Sequence, residues 1–247
     1  MPAWLPSSLS ENHELAFVGE TPWPPAQTTP AEARTLLAAR NPTGRPNADV
    51  VRHLVGCQNE RRHESIQIDF PHYFSAQEAA LYVQPFARLT QSRISAWQNP
   101  NANSGMRTAL AKRERYLATP FNSDVPTWDW IESHFLPDDT LLAVARDDDF
   151  THGVLQSHAF LIWWRRWLPA ISTTEIVRSF PFPWPPATTL SALTRAQEEH
   201  RLAIARAVRS GAQASLDAAV VAAYGWPNDL SDDATLAELA ALHRQRA

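Results

Sequence analysis

Apolar and polar positions along the 247-residue chain change period several times, and each change predicts an element. In "TTPAEARTLLAAR", Thr29 stands as N-cap, Pro30 takes the first helical position and Glu32 follows three residues after the cap, a helix-start signature. That helix is expected to end before Asn41 and Pro42. The turn-rich stretch "NPTGRPNADVVRHLVG" leads into "SIQIDF", where Ile66, Ile68 and Phe70 alternate with Gln67 and Asp69 as in a half-buried strand. Ser75 and Glu78 form a capping box that opens "SAQEAALYVQPFARLTQSRISAW", a helix that Pro85 is expected to kink.

Residues 99–140 are mixed, with turns at "NPNANSG" and "LPDD" and short strands expected around Tyr116 and Trp128. "TLLAVARDDDF" predicts a buried strand ending in an acidic turn. "THGVLQSHAFLIWWRRW" predicts one helix whose Val154, Leu155, Phe160, Leu161 and Trp164 face a core. Three helical stretches close the chain: 190–209 stopped by Gly211, 214–224 stopped by Gly225, and 232–246 with Ser231 as N-cap and Asp232 and Asp233 in its first turn.

Between these parts, "SFPFPWPP" at 179–186 alternates aromatic residues with proline. Each proline removes a backbone donor and pushes its predecessor toward an extended conformation, so the segment reads as a stiff strap carrying Phe180, Phe182 and Trp184. Such a strap packs its rings over a core and joins two parts of a protein, or else serves as a proline-rich ligand for a partner's aromatic groove. The pattern gives an α+β fold: a mixed domain containing a β-sheet over 1–178, the strap at 179–187 and a helical C-terminal segment over 188–247.

Composition narrows the class. At 44% hydrophobic content the chain can bury a substantial core. No run of 18 apolar residues occurs, and "MPAWLPSSLSENHELAF" lacks the basic-then-apolar pattern of a signal peptide, so a cytoplasmic protein without a membrane partner is expected. Cys57 is the one cysteine, which excludes an intramolecular disulfide and a cysteine-based zinc cluster. A net charge of −4 means that any binding to nucleic acid comes from a local face. Of the 22 basic residues only Lys112 is lysine, a bias that suits bidentate contacts to phosphate and guanine but that a GC-rich genome also produces.

Familiar catalytic motifs are absent. The chain has neither GxGxxG nor GxxxxGK[ST], and no GxSxG elbow. A metal-dependent nuclease site needs a lysine beside paired carboxylates, and Lys112 in "TALAKRER" has none in that pattern. Asp147, Asp148 and Asp149 invite a metal, but adjacent residues point different ways and an acidic turn before a helix serves as a cap. His152 and His158, six residues apart, fall on different faces of one predicted helix. Trp163, Trp164 and Trp167 suit either a base-stacking platform or, more simply, core packing.

In order along the chain stand "RNPTGRPNADVVR", "IDF", "EAALYVQPF", "GMRTAL", "RYLATP", "AVARDDDF", "GVLQS", "SFPFPWP" and "LDAAVVAAYGWPNDLSDDATLAELAALHRQRA". From roughly residue 36 to 247 this series resembles the C-terminal region of the MmeI-like DNA methyltransferases, class I S-adenosylmethionine-dependent enzymes of restriction-modification systems. In that family the matching region is a target recognition domain with a helical tail. The resemblance implies a module that reads duplex DNA for an adenine-specific methyltransferase. S-adenosylmethionine and the methyl-transfer site would then belong to an upstream domain or a separate methyltransferase subunit, because this chain has no cofactor loop and no [DNS]PP[YFW] motif. Taken alone it is expected to be catalytically inactive, with no catalytic, cofactor or metal residues of its own.

On that resemblance Arg45, Asn47 and Arg52 in the first polar turn, and Arg107, Arg113 and Arg115 around the middle block, are the candidates for DNA contact; each also fits a surface or capping role. Arg146, beside the three aspartates, reads as a structural ion pair. Where the family continues with basic residues after "RYLATP", this chain has the neutral-to-acidic "FNSDVPTWDW". That departure supports the alternative of an inert remnant or a protein-interaction module that docks on a methyltransferase partner.

Overall fold

A computed structural model of the chain describes residues 4–58, 61–91 and 97–247. In chain order the elements are β1 (Ala16–Val18), β2 (Gln27–Thr28), α1 (Pro30–Ala38), β3 (Val51–Gln58), β4 (Arg61–Ile68), α2 (Ala76–Ala80), α3 (Val83–Gln91) and α4 (Ser104–Leu110). They continue with β5 (Arg115–Pro120), β6 (Asp129–Glu132), β7 (Phe135–Pro137), β8 (Leu141–Val144), α5 (Asp149–Gln156), α6 (His158–Trp167) and α7 (Thr173–Ser179). The helices α8 (Arg195–Ser210), α9 (Gln213–Tyr224) and α10 (Asp232–Arg246) complete the chain. The fold is mixed α+β with a helical C-terminal region, as the pattern implies. Two compact units form: one from residues up to Phe17, Lys112–Ile131 and Leu142–Ala247, the other from Val18–Ala111 and Glu132–Leu141.

The second unit is built on a sheet of order β2-β4-β3-β7. β3 and β4 form an antiparallel hairpin in register from Val51 opposite Ile68 to Gln58 opposite Arg61, and β7 runs parallel to β3. Thr29 caps α1 as expected. Leu36 of α1 and Leu89 of α3 share a core with Trp23, Val51, Ile68 and Phe70. The half-buried alternation expected in "SIQIDF" does not hold: Gln67 and Asp69 are buried along with Ile68 and Phe70. Their partners are remote in sequence, for Gln67 Oε1 accepts the Trp23 N–H at 3.2 Å. β3 itself, at the end of the turn-rich stretch, was not foreseen.

The capping box at Ser75 and Glu78 is present. The helix it opens stops at Ala80 and a new one starts at Val83, which puts Pro85 in the first turn of α3 instead of at a kink. Inside a helix a proline ring clashes with the carbonyl four residues back, but in the first turn no intrahelical donor is required and the ring is accepted. The expected continuation through 92–96 lies outside the described residues.

The first unit is arranged around the sheet β1-β8-β5-β6, and the strands expected near Tyr116 and Trp128 are β5 and β6. All four residues of β8 are buried. The single helix expected over 151–167 is two: Ser157 ends α5 and caps α6, its hydroxyl accepting the Phe160 N–H. α7, with its Ser172 and Glu175 capping box, was not foreseen. The three tail helices form as patterned, with Gly211 and Gly225 at φ of 69° and 73° ending α8 and α9, although α8 begins only at Arg195.

Phe180, Phe182 and Trp184 of the strap are buried in the core of this unit together with Phe160, Trp163, Ile204, Leu216 and Leu239. Trp184 stacks on Phe150 with ring centroids 4.5 Å apart. Because the strap has no strand neighbour, its carbonyls need other donors. The tail supplies them: the Tyr224 hydroxyl donates to Pro181 O at 2.8 Å, and the Arg246 guanidinium donates to Phe182 O at 2.6 Å and Pro183 O at 3.1 Å.

Candidate nucleic-acid interface

Across the second unit's sheet, one row of residues runs from solvent to interior. Antiparallel register sets His63 opposite Gly56, and the parallel pairing of β7 with β3 continues where Asp138 donates its N–H to Val55 O at 2.8 Å. Glu20 forms the next bridge, beside Asp138. A Cβ at Gly56 would overlap Asp138 Oδ2 and His63 Cε1, so the row requires glycine in the middle. Asp138 is 2% exposed, and its Oδ2 meets His63 Nε2 at 2.8 Å while the His63 side chain remains 42% exposed. Asp138 Oδ1 accepts the Thr140 N–H at 3.0 Å and the Thr140 hydroxyl, and Thr140 Oγ1 accepts the Cys57 N–H at 2.8 Å.

At the inner end stands Arg107. Its Nε and Nη2 grip Glu20 bidentately at 2.6 and 2.5 Å, and its Nη1 lies 2.6 Å from Asp69 Oδ2. The Asn103 N–H also donates to Glu20, at 2.8 Å. Neither Asp69 oxygen makes a hydrogen bond of good geometry. Burial therefore raises the Asp69 carboxyl above its ordinary range, with the Arg107 charge opposing. Burial works against the Arg107 charge too, but the two carboxylates outweigh it and hold the guanidinium protonated beyond its usual range.

The residues singled out in the sequence fall into three groups. Asn47 and Arg107 serve the interior: Asn47 is 1% exposed and donates to Leu36 O at 2.7 Å and Ala39 O at 3.1 Å, closing the end of α1. Arg45 and Arg52 lie at or near the surface of the second unit. Arg45 is exposed, its charge acting on Glu78, and Arg52 is half-buried opposite Gln67 on the face that carries Gly56 and His63. Arg113 and Arg115, in the first unit, are paired: Arg113 with Asp147 at 3.4 Å, and Arg115 with Asp149 at 3.2 Å while its guanidinium sits 3.8 Å over the Trp130 ring.

The three aspartates thus have separate tasks. Asp148 caps α5 and pairs with Arg146 at 2.8 Å, as the acidic turn implies, and Asp149 also meets Arg209. His152 and His158 sit on different helices: burial lowers the His152 ring's proton affinity, and His158 pairs with Asp232 at 2.9 Å. Among the described residues no three His, Cys, Asp or Glu side chains gather closely enough to hold a metal ion. Trp163, Trp164 and Trp167 are core residues at 3% exposure or less, not a stacking platform. The His63 and Asp138 pair was missed. One signal for it was present, a lone glycine inside the apolar run "VRHLVGCQ", which marks a close approach in a strand.

No family model matches the chain, and no curated protein matches it. Among solved structures it is similar in fold to the type IIL restriction-modification enzyme MmeI, determined in complex with DNA, with a TM-score of 0.55 and 15% identity over 99% of this chain. The chain spans about a third of that protein, 36% of its length.

Proposed function

We propose that the chain is a DNA-sequence recognition module of a restriction-modification system, one that reads a duplex and has no methyl-transfer site of its own. The observation that carries this reading is the fold likeness, across nearly the whole chain, to part of a restriction-modification enzyme solved on DNA. On this reading methyl transfer to adenine, and S-adenosylmethionine with it, belong to a separate methyltransferase subunit or domain, and the part played by this chain is to hold and read the target. With a net charge of −4, the chain contacts phosphate through a local set of arginines. Arg45 and Arg52 are the leading candidates, because Arg107 and Asn47 are committed to interior partners and Arg113 and Arg115 are paired with aspartates.

The test is anisotropy of the purified protein with a randomised duplex pool across a salt series. Affinity is expected to fall steeply with salt, and the double variant Arg45→Gln, Arg52→Gln to reduce the log–log slope by about two, roughly one per lost phosphate contact. No binding at low salt, from a sample that unfolds cooperatively, would overturn the proposal and leave a module that docks on protein.

A further inference from the structure

We infer that His63 reads a base: held by Asp138, its imidazole accepts from an exocyclic amino group on the major-groove edge of duplex DNA. The inference rests on the function proposed above and names a specificity-determining side chain within it. An exposed histidine ordinarily samples several rotamers, and fixing one costs entropy. Here a fully buried carboxylate fixes it, and that carboxylate is itself anchored by the Thr140 N–H and hydroxyl. The strand opposite has given up its side chain at Gly56 to make room.

The arrangement also sets the ring's chemistry. A carboxylate only accepts, so when the ring is neutral the Asp138 contact puts the proton on Nε2 and leaves Nδ1 as an acceptor. An acceptor at a base edge selects the amino groups of adenine or cytosine over the carbonyls of thymine and guanine. Strand alternation places Gln58 and Arg61, which are directly paired and exposed, on the same face as His63. Glutamine and arginine are the side chains whose geometry matches adenine and guanine edges, and a two-stranded antiparallel ribbon is one of the shapes the major groove admits. The same face closes inward at Gln67, which is fully buried, so the hairpin offers its outer end to a partner and anchors its inner end in the unit.

The experiment selects sequences from a randomised duplex pool with wild type, His63→Ala and Asp138→Asn, and reads affinity, salt slope and base preference for each. Wild type is expected to enrich an amino-bearing base at one position. His63→Ala is expected to lose that preference by on the order of tenfold with an unchanged salt slope, since no phosphate contact is removed. Asp138→Asn, whose amide can also donate and so lets the ring take the other tautomer, is expected to weaken the preference at the same position. If the buried substitution unfolds the protein, the exposed His63→Ala alone decides. A wild type that binds and a His63→Ala variant that selects the same sequence with the same ratio would overturn this inference and leave the proposed function standing. Binding with no sequence enriched would overturn this inference and the reading of sequence proposed above, and leave only duplex binding. Absence of binding by wild type would overturn both.

Discussion

The Arg107 side chain retains 21% exposure, yet the two carboxylates it faces, on Glu20 and Asp69, are fully buried. Removing the cation strands two charges in the interior, a change that costs about 3–5 kcal/mol in other buried pairs. Arg107→Met is therefore expected to lower the urea midpoint strongly at pH 7.5. The loss is also expected to shrink toward pH 4.5. Without Arg107 nothing offsets the burial that already raises the Asp69 carboxyl, so the native state binds more protons than the unfolded one in this window and stability falls as pH rises. Urea titrations at the two pH values check both parts; equal losses would mean that the carboxylates are not stranded. Nothing local to "GMRTAL" announces this role, because Glu20 and Asp69 are 87 and 38 positions away, and a polar side chain in a mixed region reads as surface until its partners are known. The partners of Asn47 are hidden for the same reason, its acceptors being carbonyls at the end of the preceding helix, which gives it the capping role.

Helix boundaries follow a different logic, since a cap bonds to backbone three residues away and its signal lies within one turn of sequence. Thr29, Ser75 and Ser231 were legible on that ground, as were the glycine stops at 211 and 225. Strand β3 was not, because its pairing with β4 and β7 sets its burial and it follows directly on a run of turn formers. Ser157 was hidden by periodicity: the apolar spacing runs on through α5 and α6, and the buried hydroxyl sits at the break between them. It donates to Val154 O at 2.7 Å and receives the Phe160 N–H at 3.4 Å. Ser157→Ala removes both and is expected to cost about 1–2 kcal/mol, a drop of roughly 2–8 °C in Tm, with helical circular dichroism unchanged at low temperature. An unchanged Tm would show that the break between α5 and α6 is fixed by packing and not by the cap.

For the whole chain, the decisive connection is the strap. Its composition made the extended form and the buried rings legible, but not which helices cover them. Residues 4–17, 112–131 and 142–247 belong to one compact unit, so the tail helices share a core with segments far upstream of the strap. Cutting after residue 187 would strip Ile204, Leu216, Val220 and Leu239 from that core and take away Tyr224 and Arg246, the donors that satisfy Pro181, Phe182 and Pro183. Each fully buried apolar side chain contributes about 1.5–3 kcal/mol, and domains of ordinary stability hold only about 5–15 kcal/mol in total. The 1–187 piece is therefore expected to lose cooperative unfolding and the near-ultraviolet dichroism of its buried tryptophans, and to bind a hydrophobic dye. A piece that keeps a sharp transition and native tryptophan signals would mean that the tail packs onto a core already complete. The outcome also bears on the proposed DNA binding, because His63 and Gly56 lie in the other unit: salt-dependent binding that survives in the shortened protein would show that the tail helices are not needed for it and leave them a scaffold for the first unit.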